Sequence, residues 1–247
     1  MYNKNIVYWT HQPNDILPPE IFLAPECILR YVKNFNTNDA DNFLKCPVFN
    51  AYARKTFNLL SPIDLSLEIC DNMIKSNHSE YTSNRNDFFE KLLLIRNIEL
   101  NLLSVGLIHH AFFTEEPCIM TFNRAYFSNG EFSSNTENIP GQYDISKWFR
   151  PVDLAFYVKQ KNKPFFIQRN EPVASVNFDF GNNSKIVFKR FEYTKKIHKY
   201  SMFKNVIRFS KKDRPKFNDM INYFYGLFGS SSIRKNLLKE IKNNLLE

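Results

Sequence analysis

From residue 145 to residue 191 the chain passes through five short apolar stretches, ISKWF, DLAFYVK, FFIQR, VASVNFDF and KIVFKRF, parted by PV, KNKP, NEP and GNNS. Short runs rich in β-branched and aromatic side chains, each closed by Pro, Gly or Asn, read as strands. Their close, regular spacing leaves no room for crossover helices, so the pattern predicts a sandwich, barrel or jelly roll. Composition points the same way: aromatic residues reach 16%, with 25 Phe and 12 Tyr, against only 6 Gly. Large aromatic rings suit a pleated, half-buried surface. A chain of 247 residues is long enough to bury a core that removes roughly 70–75% of its unfolded surface.

The rest of the chain extends this reading. KNIVYWT (residues 4–10) predicts a first strand, stopped by the turn-forming HQPND. ILPPEIFLAPE holds three prolines, which fix φ and remove donors, so it is expected to lie extended and irregular across the core. KTFNLLS and DLSLEI read as strands on either side of Ser61-Pro62, and residues 71–87 read as a polar loop. FFEKLLLIRNIELNLLSVGLIHHAFFTEE suits a helix by its Leu and Ile spacing, but the strand-like FFTEEPCIMTFNRAYF that follows favours strands. NGEFSSNTENIPGQYD reads as a loop. The tail changes period. Phe217, Met220, Ile221 and Phe224 form one helical stripe, and Ile233, Leu237, Leu238, Ile241 and Leu245 form another. Two helices over residues 214–246, broken around Gly229, are expected. The organisation is a β-rich, jelly-roll-like domain over residues 1–190 and a basic helical extension over residues 191–247, packed on that domain or projecting from it.

Charge is divided unevenly. From Lys185 onward there are 16 basic and 5 acidic residues, so the net charge of +8 arises in the last quarter, while residues 1–184 are net acidic. Such asymmetry suits either an acidic partner or a solvated basic face. Cys27, Cys46, Cys70 and Cys118 form no CxxC pair and read as reduced, structural thiols. No apolar run reaches membrane-spanning length and the first residues carry no export signal, so no membrane partner is expected. The expected setting is the interior of a cell or a particle assembled there.

Motifs that carry chemistry are sparse. Six scattered glycines make no phosphate-cradling loop, and GxSxG and HExxH do not occur. His78-Ser79-Glu80 has the spacing that sets two ligands on one strand face, and with a distant His198 it could form the facial triad of an iron oxygenase. His109 and His110 are neighbours beside an apolar run, so on a strand one enters the core and the other leaves it. Asp144, Asp153, Glu171 and Asp179 stand at strand ends and read as hydrogen-bonded turn residues. KRFEYTKKIHKYSMFKNVIRFSKKDRPKF interleaves the cations Lys189, Arg190, Lys195, Lys196, Lys199, Arg208, Lys211 and Lys212 with aromatic rings, as single-strand binding over residues 185–216 requires. In GQYDISKWFRP, the cluster Trp148, Phe149, Arg150 combines the residue types that anchor protein interfaces.

FLKCPVFNAYARKTFNLLSPIDL, IPGQYDISKWFRPVDLAFYV and IQRNEPVASVNF together resemble proteins encoded by large tailed bacteriophages. Cys46-Pro47, Thr56-Phe57, Ser61-Pro62, Asp64, Lys147 to Pro151 and Glu171-Pro172 carry the likeness, which spans roughly residues 40–180. The strand pattern is also similar to cupin-like double-stranded β-helix proteins, without the His-x-His and glycine pattern of the metal-binding members. The resemblance implies a jelly-roll or cupin-like β-sandwich or barrel, leaves the basic tail and its expected C-terminal helices uncovered, and brings no activity and no site residues. The expected function is a non-catalytic, phage-encoded protein-binding module without a cofactor. Its partner is a phage or host protein, met in the host cytoplasm or the assembled virion, and no oligomeric state is implied. The alternatives are an iron-dependent oxygenase on a jelly-roll barrel and single-stranded nucleic-acid binding through the basic tail.

Overall fold

The structure is a computed structural model that describes residues 4–13, 17–32, 45–70, 74–77, 93–97, 99–201 and 231–246. The strands are β1 (Lys4–His11), β2 (Glu26–Cys27), β3 (Thr56–Leu60), β4 (Leu65–Ile69), β5 (Ile74–Asn77), β6 (Leu93–Asn97), β7 (Leu102–Val105), β8 (His110–Thr114), β9 (Ile119–Asn123), β10 (Thr136–Asn138), β11 (Gly141–Asp144), β12 (Leu154–Val158), β13 (Phe165–Ile167), β14 (Pro172–Asp179) and β15 (Lys185–Arg190). The helices are α1 (Leu29–Val32), α2 (Pro47–Ala53), α3 (Glu131–Asn135), α4 (Lys195–Ser201) and α5 (Ser231–Asn243). The protein is therefore mainly β with helices at its C-terminal end. The described strands form four sheets ordered β15-β1-β8, β11-β9-β14-β3-β2, β10-β12-β7-β6 and β13-β4-β5, and none of these closes into a barrel.

Phenylalanine joins the sheets. Phe112 of β8 and Phe188 of β15 project from the first sheet onto Phe57 of β3 and Phe178 of β14 in the second. The ring centroids lie 5.3 Å apart for Phe112–Phe178, 5.7 Å for Phe178–Phe188 and 4.7 Å for Phe57–Phe188. These offset and edge-to-face arrangements gain from ring quadrupoles as well as from burial. Elsewhere Phe132, Phe156 and Phe165 meet within 6.3 Å of one another, tying α3 to the third and fourth sheets.

β1 is buried on both faces. Val7 and Trp9 belong to the main core, while Tyr8 faces a second cluster with Ala111, Phe113, Phe149, Phe191, Ile197, Leu237, Leu238 and Ile241. Alternation along one strand thus serves two cores, and α4 and α5 form a layer outside the first sheet. The α5 stripe Leu237, Leu238, Ile241 does this packing as its spacing predicts. The first of the two expected tail helices lies outside the described residues.

Three expectations change. ISKWF is a turn, because the Asp144 carboxylate accepts from both the backbone N–H and the hydroxyl of Ser146, and the Asp144 carbonyl accepts from Lys147 and Trp148. An Asx turn of this kind competes with strand pairing. NGEFSSNTENIPGQYD is not a loop. It contains α3, β10 and β11, pinned by Phe132, which is 1% exposed. Within the polar run 71–87, residues 74–77 form β5 against β4, with Ile74 opposite Ile69. In the last two cases partners distant from the local sequence decide the conformation, whereas the Asp144 turn is a local side-chain contact.

Candidate functional site

The antiparallel register sets His11 of β1 opposite His110 of β8, and Trp9 opposite Phe112. Opposed residues share a face, so all four rings stand on the core side of the first sheet. Trp9 stacks on His110 at 5.5 Å and His110 on Phe112 at 5.9 Å, while His11 meets His110 edge-on at 6.3 Å. The irregular segment 17–25 closes over them, with one 3-10 turn at Pro19–Ile21. Its Phe22 ring stacks face to face on His11, and its Leu23 carbonyl oxygen lies 2.9 Å from His110 Nε2. The three prolines of this segment thus correspond to a strap laid across the core.

The two buried imidazoles differ in support. His110 has carbonyl oxygens at both ring nitrogens, those of Ile108 and Leu23, yet complete burial still pushes its pKa down. His11 is 2% exposed, and neither of its ring nitrogens finds a hydrogen-bond partner among the described residues. Burial, then the neighbouring His110, His109 and Arg190, hold its pKa down at about 2, so the ring is neutral at ordinary pH. His109 stands at φ 20°, with its ring over Gly106. A Cβ on that glycine would come within 2.6 Å of His109 Nε2, so any larger residue there would force the His109 ring to shift.

From His109 the site continues to the surface. His109 Nε2 lies 3.6 Å from one Asp153 oxygen, and Arg150 donates to the other at 3.2 Å. The Arg150 guanidinium lies 5.4 Å over the Trp148 ring, which itself packs against Tyr143 at 5.3 Å. Asp153 therefore joins a half-buried histidine to a cation–π stack at the protein surface. The backbone beneath is fixed. Asp144 shapes the turn, Arg234 of α5 donates to the Ser146 carbonyl at 2.8 Å, and Ala111 bridges to Pro151.

Of the interface cluster, Trp148 and Arg150 reach the surface, while Phe149 is 1% exposed and belongs to the second core. Among the basic-tail residues, Lys189, Lys195, Lys196 and Lys199 are exposed, Lys196 pairs with Glu240, and Arg190 lies 5.2 Å over Trp9. The interleaved rings among the described residues turn inward: Phe191 is buried, and Tyr193 and Tyr200 pack against the second cluster. Arg208, Lys211 and Lys212 lie outside the described residues. So do His78 and Glu80 of the oxygenase triad; His198 sits on α4, 3.3 Å from the Tyr193 hydroxyl. Asp144 and Asp179 are turn residues, each accepting from a backbone N–H two positions on. Glu171 accepts from the Gln168 N–H at 3.0 Å, and burial raises its pKa. Among the described residues, no three His, Cys, Asp or Glu side chains converge as metal ligands, and no helix is long and apolar enough to cross a membrane.

Sequence reasoning reached Trp148 and Arg150 through residue type. It missed the meeting of His11 with His110, because the strands that bring them together are far apart in sequence and their register is set by core packing. The strap prolines and the His109-His110 pair were the available signals, each local to one segment.

These features define a mainly β protein with a helical outer layer and a Trp–Arg–Asp–His array at one end of its first sheet. No protein-family profile matches the chain, and no curated protein matches it in sequence. Among solved structures it is similar to a point mutant of the dUTPase of Staphylococcus bacteriophage 80alpha. The two are 8% identical, with a TM-score of 0.34, over 76% of this chain and 96% of that one.

Proposed function

We propose that this chain is a non-catalytic, phage-encoded module that binds another protein through a surface anchored by Trp148 and Arg150. It acts in the virion or on host machinery in the cytoplasm. The observation that carries this reading is the organisation of the Trp148–Arg150 stack before any partner arrives. Arg150 is held by Asp153, Trp148 is held by Tyr143, and the intervening Phe149 is locked in the core. Side chains already fixed in place lose little further entropy on binding, and Trp and Arg are the types that dominate interface energetics. The phage origin rests on the sequence resemblance alone.

The test compares wild type with the double variant Trp148→Ala, Arg150→Ala as tagged full-length chains during infection. Wild type is expected to retain one defined phage or host protein that the double variant loses by at least about tenfold, with both chains melting alike. Equal recovery by both chains removes this surface as the anchor. Mass spectrometry of purified particles then separates the two settings, since absence from particles excludes the virion role.

A further inference from the structure

Segment 17–25 is anchored in the main core by Leu17, which is 1% exposed, and fastened to the first sheet by Phe22 on His11 and by the Leu23 carbonyl against His110. The last two fastenings bear on imidazoles, and the two respond differently to a proton. On His110 a second N–H would meet a carbonyl already in place, so protonation is partly compensated there. On His11 it would not. The ring is sealed from water, neither nitrogen has an acceptor among the described residues, and its charged or titratable neighbours are other bases and a cation. The titratable and charged groups around His11 are His109 and His110 at the start of β8, 6.1 and 6.3 Å away, and Arg190 of β15, which lies over Trp9. Asp153 lies beyond His109 and is shared with Arg150. The strap contributes Phe22 against the ring and carries Glu20 on its exposed side.

We propose that residues 17–25 form an acid-released strap, closed while His11 is neutral and lifted from the first sheet when His11 takes a proton. The proton comes from solvent onto a ring nitrogen that becomes accessible only when Phe22 swings away, so protonation and opening are one event. Opening uncovers the Trp9, His110 and Phe112 rings, an apolar surface that closure keeps from water.

The direction with pH follows from the two states. In the open state His11 regains its ordinary pKa of 6.5, while in the closed state it sits at about 2. Above pH 6.5 both states hold a neutral ring and the equilibrium does not depend on pH. Below it, the open state binds at least one proton more than the closed state, on His11 and also on the uncovered His110, whose pKa burial holds down in the closed state, so the open population grows at least about tenfold for each unit of acidification. Other groups that gain protons on global unfolding would act on the whole molecule, whereas this effect is confined to the strap.

Hydrogen exchange on the full chain between pH 7.5 and 4.5, corrected for the intrinsic rate, tests the proposal. Peptides covering residues 17–25 are expected to lose protection by at least about tenfold per unit below pH 6.5, while β9 and β14 keep theirs. His11→Phe keeps a ring against Phe22 but cannot titrate, so its strap should open less steeply with acidification and at lower pH than wild type, with only His110 left to take up a proton. Loss of protection by strap and sheets together, or opening of His11→Phe at the wild-type pH with the wild-type steepness, overturns the idea. If that variant does not fold, imidazole resonances of wild type decide. A His11 ring that titrates near 6.5 while the strap amides remain protected refutes the proposal, and one that does not titrate in the closed state down to pH 5 supports it.

Discussion

Cys118 and Cys46 place the same thiol in opposite surroundings. Cys118 is 1% exposed in the main core. Burial first, and then the nearby Asp144 and Asp179 carboxylates, push its pKa well above the usual thiol range. Cys46 stands exposed just before α2, and no two of the four cysteines form a disulfide. Because the thiolate is the reactive form, a neutral-pH alkylating reagent should modify Cys46 in the folded chain and leave Cys118 intact until denaturant is added; peptide mass mapping reads this directly. Rapid labelling of Cys118 without denaturant would mean that the packing around β9 is wrong. Gly106 shows the same dependence on immediate surroundings. Its missing Cβ holds no conformational role that a turn demands; it is the space in which the His109 ring lies.

At the level of elements, α5 is attached by apolar contact more than by charge. Leu237 and Ile241 are fully buried against Tyr8, Ala111 and Phe113, whereas the Lys242–Glu115 pair is nearly half exposed on both sides. Leu237→Ala should cost about 2–5 kcal/mol through lost burial and the cavity left behind. Lys242→Ala should cost less than about 1 kcal/mol, since exposed ion pairs contribute little. Chemical denaturation of both variants checks the contrast. This helix was also among the elements most readable in the sequence, because its stripe has the helical period and its face has one partner. β1, β3, β4, β12, β14 and β15 were readable for a related reason, their apolar runs being bounded on at least one side by Pro, Asn or Gly. Asn162 and Asn170, in KNKP and NEP, adopt the left-handed conformation those turns need, at φ 56° and 65°. What escaped was polar strand and short helix. β5 and β10 have little apolar sequence of their own and exist because β4 and β12 offer them an edge. The Asp144 turn displaced a strand through a side-chain contact that no periodicity registers.

For the whole molecule, the decisive pairing is the longest in sequence. β1 lies parallel to β15, with Lys4 opposite Lys185 and Trp9 opposite Arg190, and β8 flanks it on the other side. Trp9 and Phe188 contribute to a core that β3 and β14 complete, and the far face of β1 packs on α5. A chain ending at residue 184 loses β15 and the helical layer together. It is expected to lack a cooperative thermal transition and to bind a dye specific for exposed apolar surface; a sharp, native-like melt from that fragment would show that the first sheet stands without them. During synthesis the consequence is one of timing. The strand at residues 4–11 leaves the ribosome well before its antiparallel neighbour at residues 110–114 and longer still before its parallel neighbour at residues 185–190, and its sheet is complete only when the latter has been made. Until then a nascent stretch as oily as VYW has nowhere permanent to go, and the cell must keep it from strangers while the rest of the polypeptide arrives.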